Sequence, residues 1–78
     1  THAVRAREHL RVARLNIAQI SEIARRAGAP LDLSAGIQLA AGVGGMLAPG
    51  GLLYTIHAGA AADLAIAARA AEHDTGFS

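Results

Sequence analysis

Apolar residues in the first third of the chain recur at alternating steps of three and four. Ala3, Ala6, Leu10, Ala13, Ile17, Ile20, Ala24 and Ala27 share one helical face at that spacing. The pattern predicts one long amphipathic helix over residues 3–27. Val12, Leu15 and Ile23 add a second apolar edge, and two edges on one helix imply two neighbours. Glu8 stands three residues before Arg11, and Glu22 three and four before Arg25 and Arg26, at spacings that support a helix. Gly28 followed by Pro30 supplies a stop.

Residues 33–48, with Asp32 or Ser34 as N-cap, are apolar on every side of a helix apart from Ser34 and Gln38. A helix of that kind is buried in protein or in lipid. Gly36, Ala40 and Gly44 lie four apart, as do Ala41 and Gly45, which predicts a groove that lets a second helix approach closely. Each mid-helix glycine costs about 1 kcal/mol against alanine, so close packing is the expected compensation. Pro49-Gly50-Gly51 then makes a turn. A third helix is expected over 52–73, with Leu53, Ile56, Ala60, Leu64, Ala67 and Ala71 as its stripe, and a frayed tail over 74–78. No Asp, Glu, Lys or Arg occurs from Leu33 to Ala62. The central turn leaves apolar arms too short for a full bilayer crossing. A buried helical hairpin is expected, with a lipid-facing hairpin as the alternative. Residues 1–78 thus read as a single small all-α domain: one amphipathic helix followed by an apolar hairpin.

Composition strengthens that expectation. Alanine fills 20 of the 78 positions and glycine 9, with Tyr54 and Phe77 the only aromatics. Alanine is the best helix former, whereas strands favour β-branched and aromatic residues. Alanine also buries little apolar area, so a core this small and thin is expected to be completed by oligomerisation. There is no cysteine to staple it. The net charge of +1 hides a division. Residues 1–28 carry six arginines against two glutamates, and residues 29–78 one arginine against four acids. Such halves attract each other, stack copies head to tail, or meet an anionic surface. The chain starts at Thr1, which suggests the loss of an initiator Met or a longer signal or pro-segment.

Candidate chemistry is sparse. His2 and His9 are seven residues apart, His57 stands alone in the apolar stretch near Tyr54, and no pair of histidines has metal-ligand spacing. Asp63 lies beside the stripe of the third helix, where burial would require a cation; Arg11 or Arg14 is the expected partner in a structural ion pair. Neither glycine cluster carries the Lys-Ser/Thr of a phosphate loop, and no serine, histidine and acid form a nucleophilic set. The chain therefore reads as a non-enzyme without cofactor or metal. Ile20-Ser21-Glu22-Ile23-Ala24-Arg25-Arg26-Ala27-Gly28 resembles the first helix and turn of TetR-type helix-turn-helix regulators. That resemblance implies a recognition helix next, but residues 33–48 offer only Gln38 to read a base, so nucleic acid is a disfavoured partner. In outline, an amphipathic helix before an apolar hairpin is similar to the pilins of conjugative secretion systems.

The leading expectation is a self-assembling structural subunit, a ring, filament or bundle, whose partners are copies of itself. Its packing surface is expected at Leu10, Ala13, Ile17, Ile20, Gly36, Ala40, Gly44, Leu53, Ile56 and Leu64. The alternative is a membrane-active, bacteriocin-like peptide that meets anionic lipid through its arginines. Both favour an extracellular or membrane-associated setting over the cytoplasm.

Overall fold

The computed structural model describes residues 1–29 and 36–78. In chain order the elements are β1 (His2–Arg5), β2 (Leu10–Arg11), α1 (Ile17–Ala27), β3 (Gly36–Leu39), β4 (Met46–Leu47), β5 (Leu52–His57) and α2 (Ala61–His73). The protein is thus an α/β mixture with antiparallel sheets, not the expected all-α arrangement of three helices. Asp32 and Ser34, the expected N-caps, and the start of the second expected helix lie outside the described residues.

The first expected helix is helical only in its second half. Val4 and Ala6 are buried while Ala3, Arg5 and Arg7 are exposed, which is the period of a strand. The helical spacing from Ala3 to Ala13 rested largely on alanines, small enough to suit either element. Across residues 36–48, Gly36 and Gly44 have φ of +152° and +89°, far from helical values, within β3 and at a turn before β4. A Cβ added at either glycine would meet nothing within 4 Å, so close approach is not what requires them. Gly36, Ala40 and Gly44 therefore share no helical groove. The third expected helix divides into β5 and α2. Leu52-Leu53-Tyr54-Thr55-Ile56 holds aromatic and β-branched residues that fit a pleated, buried surface.

Strand β5 is central, flanked by β1 and β3, both antiparallel to it. The register sets Val4, Tyr54 and Leu39 in one cross-strand row and His2, Ile56 and Ile37 in another. A bulge interrupts the β1–β5 ladder between Val4 and Arg5. Beyond it the two stretches stay together. Ala6 N–H donates to Gly51 O at 2.8 Å, and Gly50 N–H donates to Ala6 O at 2.8 Å. Further on, β2 pairs with β4, and Val12 N–H donates to Gly45 O at 2.9 Å. Residues 2–12 thus run as an interrupted antiparallel ribbon against residues 44–56.

Helix α1 starts at Asn16, whose Oδ1 accepts from Gln19 N–H at 3.1 Å. It ends at Gly28, which takes φ +121° and donates its N–H to Arg25 O. Helix α2 has no side-chain cap, but Asp63 lies in its first turn, where a negative charge suits the helix dipole. The helices pack against each other, α1 also against β3 and β5 and α2 against β1 and β5. Ile23, Ala27, Ala67 and Ala71 meet Val4, Tyr54 and Ile56 in the resulting core. Residues 74–78, expected to fray, close it: Phe77 is buried with its ring 5.7 Å from that of Tyr54. Ser78 O accepts from the N–H groups of Ala13 and Arg14 at 2.8 Å, and Leu15 bridges to Phe77. No helix among the described residues is long and apolar enough to cross a membrane.

Candidate functional site

A first concavity lies at the bulge and the gap in the ribbon. Between β1 and β2 the chain swings past the C-terminal end of α2, leaving a cleft of about 400 Å³ lined by Arg5, Arg7, Glu8, His9, Glu72, His73, Asp74 and Thr75 over the floor residue Leu53. Two guanidinium groups fix its wall. Arg5 Nη1 donates to Gly50 O at 2.9 Å, tying β1 to the turn before β5. Arg7 Nη2 donates to Glu72 O at 3.2 Å, in the last turn of α2, where a cation suits the helix dipole. Arg5, Arg7, Glu72 and Thr75 also border a smaller cleft of about 170 Å³ against β1. Alternation of exposed Arg5 and Arg7 with buried Val4 and Ala6 is the strand signal in this stretch, which the expected helix over residues 3–27 did not use.

Below the cleft, Tyr54 Oη donates to Thr75 O at 2.8 Å. Burial, and secondarily the negative charge of Asp74, push its phenol from 10.0 up to about 12. Asp74 Oδ1 accepts from Gly76 N–H at 2.9 Å, and Thr75 Oγ1 accepts from Phe77 N–H at 3.2 Å, so both side chains hold the turn into the tail. A third concavity, about 410 Å³, runs between α1 and α2 and is lined by Gln19, Glu22, Arg26, Ile66, Arg69, Ala70 and His73. No group of three or more metal-ligating side chains is found among the described residues. Tyr54 is buried and bonded to Thr75, and the charged side chains that line the first cleft are exposed.

The residues expected to form a packing surface are scattered. Leu53 and Ile56 are buried in β5, Leu10, Ile20 and Leu64 pack partly against the core, and Ala13, Ile17, Ala40 and Gly44 are exposed. Asp63 is half-buried in α2, while Arg11 and Arg14 are exposed. The ion pairs among the described residues are both on Glu22, with Arg25 at 3.3 Å and Arg26 at 3.2 Å; the expected pairing of Asp63 with Arg11 or Arg14 is not formed. The helix-turn-helix resemblance fails after Gly28, since the next described element is strand β3.

No family model matches the chain. It is 52% identical over 67 residues, 86% of its length, to a bifunctional ribose 1,5-bisphosphokinase-thymidine phosphorylase of Cupriavidus pinatubonensis, of which this covers 11%. It is 48% identical over 71 residues, 91% of its length, to a protein of the same name from Azorhizobium caulinodans, of which this covers 10%. A putative thymidine phosphorylase of Albidiferax ferrireducens is 42% identical over 59 residues, 76% of this chain and 11% of that protein. The chain spans about a tenth of the length of the curated relatives it matches. These similarities overturn the reading of the chain as a non-enzymatic structural subunit, a filament-forming protein or a membrane-active peptide, because the segments it resembles belong to proteins named as enzymes.

Proposed function

We propose that this chain is a packing unit of the phosphorylase portion of an enzyme that cleaves thymidine with phosphate. One observation carries the reading: the names of the relatives share thymidine phosphorylase, and that of the Albidiferax protein includes no kinase. A segment common to both kinds of protein tracks the phosphorylase rather than the bisphosphokinase. Its contribution is a braced α/β body: the arginines of the first cleft donate to backbone carbonyls, and the Tyr54 hydroxyl makes an internal hydrogen bond.

The test is made in the full-length Cupriavidus pinatubonensis relative. Deleting the matched segment should abolish phosphate-dependent thymidine cleavage and spare phosphorylation of ribose 1,5-bisphosphate. Substituting this chain for the deleted segment should restore cleavage. Loss of the kinase activity with cleavage retained would reverse the assignment.

A further inference from the structure

A soluble surface usually mixes charged side chains into every exposed stretch. Residues 39–50 do not. No Asp, Glu, Lys or Arg occurs in this stretch, and yet it lies on the outside of the fold. Leu39 is 50% exposed, Val43 65% and Met46 82%, with Ala40, Gly42, Ala48 and Pro49 exposed between and beyond them. Ile17 and Ile66, the other large exposed apolar residues among the described ones, lie on the helices and are not part of this run. Single exposed apolar residues are ordinary, but several in one uncharged run of the chain are the composition of a contact surface. The stretch is also held in place rather than loose. Ala40 and Ala41 N–H donate to Leu53 O, Gly44 N–H to Val12 O, and Met46 pairs across the ribbon with Arg11. Arg11 is exposed and makes no ion pair among the described residues.

We infer that the stretch 39–50, from the end of β3 through β4 to the turn before β5, is the surface by which this unit docks on the body of its enzyme. The inference rests on the phosphorylase reading above, which supplies the occupant: the relatives carry about nine tenths of their length outside the matched segment. The chemistry of the stretch specifies the partner surface. It is an apolar patch that receives Leu39, Val43 and Met46, bordered by a carboxylate that meets Arg11.

Met46 is the chain's single methionine, so its oxidation by hydrogen peroxide to the sulfoxide, read by mass spectrometry, reports on the patch alone. The measurement compares the 78-residue chain with the Cupriavidus pinatubonensis enzyme carrying this chain in place of its matched segment. Docking predicts that Met46 oxidises freely in the chain alone and at least about tenfold more slowly in the chimera, as expected for a buried thioether. A chimera that cleaves thymidine but leaves Met46 as reactive as in the free chain overturns the docking and keeps the functional reading. A chimera with Met46 protected but no cleavage supports the docking and counts against that reading, whereas an inactive chimera with Met46 reactive overturns both. Concentration-dependent protection in the chain alone would assign the surface to a second copy and overturn the proposal.

Discussion

Tyr54 joins three parts of the molecule with one side chain. Its backbone lies in the central strand, its ring packs on Phe77, and its hydroxyl donates to Thr75 O at 2.8 Å. Replacing it by Phe removes only the hydroxyl and leaves Thr75 O without that donor, at a cost of about 1 kcal/mol. Alkali should have a related effect. The folded phenol is pushed up to about 12 from an ordinary 10.0, so its contribution is intact below pH 10 and is lost as pH rises toward 12. Thermal unfolding between pH 9 and 12 checks both effects. The parent midpoint should fall through that window, and Tyr54→Phe, lower at pH 9, should fall less steeply. Gly76, one residue before Phe77, shows why the tail is specific: its φ is +87°, and a Cβ there would come within 2.9 Å of Ile20 Cδ1.

At the level of elements, sequence periodicity located the helical half of the fold and misassigned the strands. Glu22, Arg25, Arg26 and Gly28 marked the end of α1 because ion-pair spacing and a left-handed cap are local signals. The strands β1 and β3 were hidden because alanine and glycine carry no period of their own, and because their partner β5 is distant in the chain. The Tyr54-Thr55-Ile56 run is aromatic and β-branched, but the stripe of Leu53, Ile56 and Ala60 led the whole stretch to be read as helix. The observed packing separates two isoleucines. Ile56, with no exposure in the central strand, should lose about 2–5 kcal/mol on replacement by Ala. Ile66, 48% exposed on α2, should lose well under that amount. Urea midpoints of the two variants decide the matter, and equal losses would contradict the packing described.

For the whole molecule, the charge division was correctly visible in the sequence but its consequence was not. The basic and acidic halves meet through Arg7 and the carbonyl of Glu72, a charge against the end of a helix, rather than through a buried carboxylate. Asp63 accordingly acts on the first turn of α2, and Asp63→Ala should cost only about 0.3–1 kcal/mol. Thermal denaturation reads this directly; a loss several times larger would require an ionic partner for Asp63. The cleft beside Arg5 and Arg7 was invisible in the sequence for a similar reason. Its walls are Arg5 to Leu10 and Glu72 to Thr75, segments more than sixty residues apart that only the folded topology brings together.

The ribbon that runs residues 2–12 against residues 44–56 has a further consequence for how the fold is reached. Strand β1 is synthesised some fifty residues before its partner β5. Until β5 follows, β1 has no partner in its sheet, whereas α1 can form early. Closing so large a loop costs entropy before any contact repays it, which favours slow, all-at-once folding over stepwise growth. Ser78 closes on Ala13 and Arg14 across a separation of more than sixty residues, so that contact too waits for the fold around it.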